Sequence, residues 1–136
     1  MKDEEKSRLE TGWDIKRLLS KINYRIHTDA IKNHLIPPEI SRTHVNSIYA
    51  NEADVLNMAL FGITAKDWRI KNNKAEGNIR DAATVDQLVV LVNLESLNAQ
   101  YIKEDISQRN RILKLNQIAR SQMKSLLGNP SIKKLE

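Results

Sequence analysis

Residues 84–105 read TVDQLVVLVNLESLNAQYIKED, the most apolar stretch of the chain. The four apolar residues at 89–92, taken alone, would suit a buried strand. However, Thr84 and Gln87 have the spacing of a helix capping box, and apolar residues continue beyond the run at intervals of three and four. These residues are Leu88, Leu91, Leu94, Leu97 and Tyr101. The stretch therefore predicts a long helix, buried on most sides, at the centre of the fold.

A narrow apolar stripe indicates a second long helix, in the segment SQRNRILKLNQIARSQMKSLLG that starts at Ser107. Ser107 can cap its start, and Gly128 with Pro130 can end it. The stripe consists of Ile112, Leu115, Ala119, Met123 and Leu126. A stripe of this width packs either inside the fold or against a second copy of the chain. It is therefore a candidate self-association surface, together with any apolar patch that stays exposed on 84–105.

The first part of the chain carries a third long helical pattern. Thr11 and Asp14 have a capping-box-like spacing, and the two prolines at 37–38 must end the pattern that follows. Thr28 could lie inside this helix or begin a new one. These signals predict a long helix near 14–35.

Three further caps follow the prolines. Ser41 is expected to cap a short helix, and Asn51 with Asp54 to cap the next one, which ends at Gly62. Thr64 repeats the same chemistry ahead of another helix. Gly, Pro and aromatic residues are scarce, which disfavours an all-β fold. The predicted fold class is all-α, a compact bundle of about five to seven helices, with long helices near 14–35, 84–104 and 107–127.

The composition excludes several classes of protein. A chain of 136 residues, 40% hydrophobic and 29% charged, suits one globular domain and is too apolar for a disordered one. It has no cysteine, which excludes disulfides, thiolate zinc sites and thiol nucleophiles. No apolar run approaches the roughly 20 residues that span a bilayer, and the first residues are too polar for a signal peptide. We therefore expect a cytoplasmic protein with no membrane segment.

Three histidines are the remaining candidates for transition-metal ligands. His27 and His34 would lie two turns apart on one helix, roughly 10 Å between backbones, which is too far for a bis-histidine site. His44 lies beyond the prolines. We expect surface or satisfied polar roles for all three, and no metal.

Two pairs of neighbouring acids could in principle serve general acid–base catalysis. They are Glu52 with Asp54 and Glu104 with Asp105. Asp54 sits where the first turn of a helix favours negative charge, and the second pair precedes a helix start, so both have a structural explanation. The sequence contains no Gly-rich phosphate loop, GxSxG or HExxH motif. We therefore predict that the chain is not an enzyme and uses no cofactor.

One clear loop is predicted, between Lys71 and Thr84. A candidate loop or ligand site there consists of Trp68, Arg69, Asn78, Arg80 and Asp81. Arg80 and Asp81 could hold the loop by ion pairs and backbone hydrogen bonds, whereas Arg69 could stack on Trp68 or bind a phosphate. A loop pinned to the core is the favoured interpretation, and a small enzyme centred on this loop is an alternative.

Positive charge is concentrated near the end of the chain. The formal charge is +5, but residues 106–136 hold seven basic groups and one acid, whereas residues 84–105 hold one basic group and four acids. The candidate nucleic-acid contacts are Arg109, Arg111, Lys114, Arg120 and Lys124. No aromatic residues alternate with them, so a solvated helix face beside an acidic neighbour is the favoured interpretation.

Four stretches together resemble a known family. They are KRLLSKINYRIHTDAIKNHLIP (16–37), IYANEADVLNMALFGITAKDWR (48–69), GNIRDAATVDQLVVLVNLESLNA (77–99) and SQRNRILKLNQIARSQMKSLL (107–127). They resemble the region that follows the DNA-binding domain in bacterial and phage KilA-N-type proteins. The last three also resemble stretches of DNA-damage-inducible D-type proteins.

The resemblance implies a DNA-binding parent protein of phage or mobile-element origin. Nothing in this sequence corresponds to the KilA-N domain itself, so DNA binding by that domain does not transfer to any residue here. We expect 1–12 to be the tail of an upstream connecting helix and 13–128 to be a helical accessory domain. We expect 129–136 to be a disordered tail whose last two residues could come from cloning. The expected function is non-catalytic oligomerisation, as a homodimer, or partner binding.

Overall fold

The computed structural model describes residue 18 and residues 20–127, and these form five helices, which confirms the predicted all-α fold. Helix α1 covers 20–34, and residue 18 is also helical. The others are α2 (Arg42–Phe61), α3 (Ala65–Lys71), α4 (Val85–Lys103) and α5 (Gln108–Leu127). The predicted Thr11 cap and the predictions for 1–12 and 129–136 lie outside the described residues.

Most of the predicted helix ends are confirmed. Thr84 and Gln87 form a complete capping box, with the Thr84 side chain accepting from the Gln87 backbone and the Gln87 side chain accepting in return. Ser41 and Thr64 cap α2 and α3 with their hydroxyl oxygens, which accept from the backbone N–H groups of His44 and Asp67. Gly62 ends α2 with a left-handed φ of 70°, which costs glycine little.

The prediction of two helices between Ser41 and Gly62 is wrong, because α2 is one continuous helix. Asn51 and Asp54 lie inside it rather than at a helix start. The sequence between 42 and 61 contains neither Gly nor Pro, so nothing interrupts the helix that Ser41 starts. Thr28 likewise lies inside α1, where its hydroxyl donates to the Arg25 carbonyl oxygen at 3.1 Å.

Contacts between side chains give the helix directions. Asn93 of α4 bonds to Gln122 of α5 at 3.0 Å, and Lys114 of α5 lies over the ring of Tyr101, so α4 and α5 form an antiparallel hairpin. Arg111 of α5 pairs with Glu52 of α2. About one turn and a half further along α5, Asn116 donates to the carbonyl oxygen of Ala59, which also lies further along α2. Helix α2 therefore runs parallel to α5 and antiparallel to α4.

Two apolar clusters form the core of the part of the chain that the structure describes. The larger one joins α2, α4 and α5 through Val55, Leu56, Ala59, Val90, Leu91, Leu94, Leu115 and Ala119. The smaller one joins α1 and the second half of α4 through Ala30, Ile31, Ala99 and Ile102. Each fully buried leucine contributes about 1.5–3 kcal/mol relative to an exposed one. Helix α4 contributes to both clusters, which confirms its predicted central position.

The apolar stripe of α5 belongs to the larger cluster. Leu115 and Ala119 are buried in it, and the half-buried Ile112, Met123 and Leu126 pack against it. The stripe therefore packs within the chain, and its half-buried members leave only part of their surface for a second copy. Of the two packing options that its width allowed, the internal one is found.

Candidate functional site

The residues of the predicted loop site are used to hold the loop. Arg69 stacks on Trp68, with 4.9 Å from its guanidinium carbon to the ring centroid, and donates to the backbone oxygens of Ala75 (2.7 Å) and Gly77. The Asp81 carboxylate accepts from the Asn78 backbone at 2.7 Å. The Asn78 side-chain oxygen accepts from two backbone N–H groups further along, in an Asx-type turn.

The fifth residue of that set points away from the loop. Arg80 pairs with Glu95 of α4, with 3.0 Å between Nη1 and Oε1, while the neighbouring Ile79 is buried. These contacts fasten the loop to the body of the fold. The charged side chains of this set therefore all contact neighbours within the chain, namely those of Arg69, Arg80 and Asp81.

The candidate nucleic-acid contacts divide into four exposed residues and one buried residue. Arg109, Lys114, Arg120 and Lys124 are exposed on α5 and form no ion pair with another described residue. Arg111 is only 3% exposed, because it lies on the inner side of the helix. The prediction that Arg111 contacts nucleic acid is therefore wrong.

Arg111 belongs to a buried polar network that joins four helices. Its guanidinium makes a two-point ion pair with Glu52 of α2, through Nη1 to Oε1 and through Nη2 to Oε2. Nη1 also donates to Asn98 of α4 at 3.0 Å, and Nε donates to the Ile106 carbonyl oxygen. Because Glu52 is 2% exposed, both charges are removed from water and depend on each other.

The network fixes the protonation state of His27. Arg111 can only donate, so the Asn98 atom that faces it must be the amide oxygen. The Asn98 amide nitrogen then faces His27 Nε2 at 2.8 Å and donates to it. His27 Nε2 is therefore an unprotonated acceptor, and the ring proton of the neutral imidazole is on Nδ1.

The electrostatics agree with a neutral imidazole. Burial lowers the pKa of His27 from 6.5 to about 4. Within this net shift of the pKa, the charge of Glu52 opposes the effect of burial, whereas the positive charges of Arg80 and Arg111 add to it. The expectation that His27 has a satisfied polar role is confirmed. His34 and His44 are exposed, and the His44 ring lies 3.1 Å from the Ser41 hydroxyl.

Glu95 is a second buried acid. Burial raises its pKa, and the ion pair with Arg80 opposes that effect. Its Oε2 atom is buried and has no hydrogen-bond partner among the described residues. A proton on Glu95 would therefore be tolerated better in the folded chain than in water.

The structural explanation given above for Asp54 is wrong, because Asp54 is not in the first turn of a helix. Its carboxylate instead accepts from the Ala65 backbone at 2.9 Å and from the Asn57 amide at 3.0 Å. Asp54 therefore holds the start of α3 against α2.

Within the part of the chain that the structure describes, no three potential ligands from His, Asp and Glu come together as a metal site.

A surface cavity of about 450 Å³ adjoins the network. It lies between α2 and the turn that joins α4 to α5, and Glu52 and Arg111 form part of its wall. The remaining lining residues are Leu35, Ile48, Asn51, Ile102, Asp105, Ile106, Ser107 and Gln108. This size is in the range of small-molecule sites. None of the residues of the predicted loop site lines this cavity.

The sequence contains a signal for the network that motif reasoning missed. Arg111 precedes the buried Leu115 by four positions, and Glu52 precedes Leu56 by four. His27 has the same spacing to the buried Ile31. A polar residue in phase with the apolar stripe of its helix must face the core, and a buried charge there requires a partner.

Apolar side chains are also exposed at the start of α4. Val85 is 71% exposed and Val89 is 46% exposed, and Leu88 lies between them on the same side of the helix. Leu18, which precedes α1, and Ile22 and Ile26 of α1 recur every four residues and are exposed as well.

None of the helices in the described residues has the length and apolarity needed to cross a membrane. The chain matches no family model, and comparison with curated proteins and with solved structures found no similar protein.

Proposed function

We propose that this chain is a non-catalytic helical domain that associates with a second copy of itself or with a protein partner. The observation that carries the proposal is the exposed apolar surface at the start of α4, made by Val85, Leu88 and Val89. Contiguous apolar surface on a folded domain favours association, because covering it removes that surface from water. We call these three residues the α4 patch.

A symmetric dimer is the form of this proposal that can be tested directly. A stable dimer buries more than about 1,000 Å² in total, so side chains around the α4 patch must also take part. Further exposed apolar side chains that such an interface could use include Leu18, which precedes α1, and Ile22 and Ile26 of α1.

Sedimentation velocity over a concentration series from about 1 to 100 μM tests the dimer, a range in which typical moderate affinities become visible. We expect a concentration-dependent shift from monomer to dimer, and the double variant Val85→Ser/Val89→Ser should stay monomeric. Leu113→Ser is the matched control, because Leu113 is exposed on α5 and does not belong to the α4 patch. A wild-type chain that remains monomeric at every concentration refutes self-association.

We also propose that the parent protein is of the KilA-N type and binds DNA through a domain that has no counterpart here. The support is the order and spacing of the four stretches quoted above. On this view the present chain brings together copies of a cytoplasmic, phage-related DNA-binding protein.

Direct nucleic-acid binding is the second candidate function. Helix α5 contains no Asp or Glu, and Arg109, Arg120 and Lys124 project into solvent within about a sixth of a turn of one another. Such a face attracts a phosphate backbone and releases counterions on binding. Sequence-independent binding is what this arrangement supports, since phosphate contacts carry no base information.

Fluorescence anisotropy with a labelled duplex tests this candidate. Affinity should fall steeply with salt, and Arg120→Gln/Lys124→Gln should reduce the slope of log K against log salt by about 2. Lys66→Gln on α3 is the matched control for loss of an exposed charge. Absence of binding at low salt excludes the second candidate.

A further inference from the structure

We propose that the cavity between α2 and the α4–α5 turn binds a small aliphatic cation. The ligand class is a primary ammonium or guanidinium group on a short hydrocarbon chain. This site is independent of the α4 patch, so its test does not depend on self-association. The volume of about 450 Å³ accommodates such a molecule without rearrangement of the helices.

Four aliphatic side chains provide the apolar part of the cavity wall. Leu35 comes from the residue after α1, Ile48 from α2, Ile102 from α4, and Ile106 from the turn. They originate from four different segments, so the cavity exists only in the assembled fold. A hydrocarbon chain of a few carbons would be removed from water against them, at about 0.8 kcal/mol per methylene.

The polar groups of the wall are partly engaged with one another. Glu52 receives N–H groups from Arg111 and Gln108, and its charge compensates that of Arg111. Gln108 uses its amide nitrogen in that bond at 3.2 Å, which leaves its side-chain oxygen free to accept. The ion pair thus leaves no net positive charge for an anion.

Asp105 gives the cavity its net negative charge. Its carboxylate forms no ion pair with another described residue. Its backbone has a positive φ of 58°, a conformation that Asp and Asn adopt more readily than other non-glycine residues. The turn between α4 and α5 therefore places an acidic residue in the cavity wall, which also contains the free side-chain oxygen of Gln108. A cation with several N–H donors satisfies these groups, whereas an anion would be repelled.

A titration of the full chain, labelled with nitrogen-15 and followed by amide chemical shifts, tests the proposal. The probes are pentylammonium, pentanol and pentanoate, which each contain five carbon atoms and differ in charge. A blocked lysine, with its amine on a peptide backbone, shows whether the same chemistry is accepted from a protein side chain. We expect pentylammonium to shift the amides of 105–108, and pentanol to bind about tenfold more weakly, because it lacks the charge-assisted hydrogen bond.

Two variants locate the site. Asp105→Asn keeps a residue that tolerates positive φ and removes the charge, so ammonium binding should weaken about tenfold while pentanol binding is unchanged. Glu104→Gln is the matched control, because this exposed neighbour does not line the cavity. Asn51→Phe places a large ring at the exposed edge of the cavity and should abolish binding of every probe.

Three results would overturn the proposal. They are equal binding of the ammonium and the pentanoate, ammonium binding that survives Asn51→Phe, and an equal loss in Asp105→Asn and Glu104→Gln. The spectrum of each variant without ligand shows directly whether the fold is retained. If Asp105→Asn unfolds the turn, the selectivity of the wild-type chain among the three probes still decides the question.

Discussion

Acidification should destabilise the fold through His27, and the size of the effect follows from its burial. The neutral imidazole accepts from Asn98, so a proton on Nε2 would bring two N–H groups face to face. The pKa is 6.5 in the unfolded chain and about 4 in the folded one. Stability linked to His27 is therefore complete above pH 6.5 and is lost as pH falls towards 4. At about 1.4 kcal/mol per pH unit, the loss reaches about 3 kcal/mol.

Urea unfolding followed by circular dichroism between pH 7 and pH 4 measures this loss. His27→Gln is the matched comparison, because its amide oxygen can accept from Asn98 and does not titrate. Glu95 has a raised pKa and works in the opposite direction, since its protonation favours the folded state. Glu95 is present in both proteins, so the difference between the two stability curves isolates His27.

Wild type should lose about 3 kcal/mol of unfolding free energy relative to His27→Gln over this range, and most of the loss should occur below pH 6.5. Curves that stay parallel down to pH 4 would refute the neutral, buried state of His27. A proton titration of the ring by NMR with a midpoint near 6.5 would refute it as well.

Three further changes test the core, the loop and a helix end by the same unfolding assay. Glu52→Gln should lower the free energy of unfolding by about 3–5 kcal/mol, because the Arg111 charge stays buried without its partner. Glu52→Leu/Arg111→Met should be less destabilised, and a smaller loss for the single variant would contradict the buried pair. Gly77→Ala should lower the free energy of unfolding more than Gly62→Ala. Both glycines have a positive φ, but an added Cβ at 77 would lie 2.5 Å from a carboxylate oxygen, whereas one at 62 meets open space. Equal losses would contradict the packed loop. Thr84→Ala should cost about 1 kcal/mol as the capping box is lost, whereas no change would mean that the box is not formed in solution.

The helices whose ends carry strong local signals could be predicted from the sequence. Thr84 with Gln87 and Ser107 mark the starts of α4 and α5, because a side-chain oxygen must satisfy backbone N–H groups that have no partner in the helix. The same physical rule explains why Asn51 does not begin a new helix, although the sequence predicted one there. A residue that can cap has no such role when the preceding turn is already helical and its N–H groups are paired.

The candidate site could be predicted only in part, because it depends on contacts between distant segments. Five basic residues on α5 look equivalent in the sequence, and only the assembled core shows that Arg111 turns inward to Glu52. The spacing of Arg111 to Leu115 gives its side of the helix, but not the partner 59 positions earlier. The exposed patch of α4 was predicted only in general terms, as any apolar patch left exposed on 84–105, because the assembled fold decides which side chains stay uncovered.

The buried network also bears on the order of events during folding. Helices α4 and α5 meet across a short turn, whereas Glu52 and Arg111 are separated by 59 positions, and His27 and Asn98 by 71. Short loops close at a lower entropic cost, so we expect the α4–α5 hairpin to form first and the network to complete only when α1 and α2 arrive. Mutations in the network should then accelerate unfolding and leave the rate of folding nearly unchanged. The four polar side chains would therefore slow the unfolding of the complete fold and so determine its lifetime.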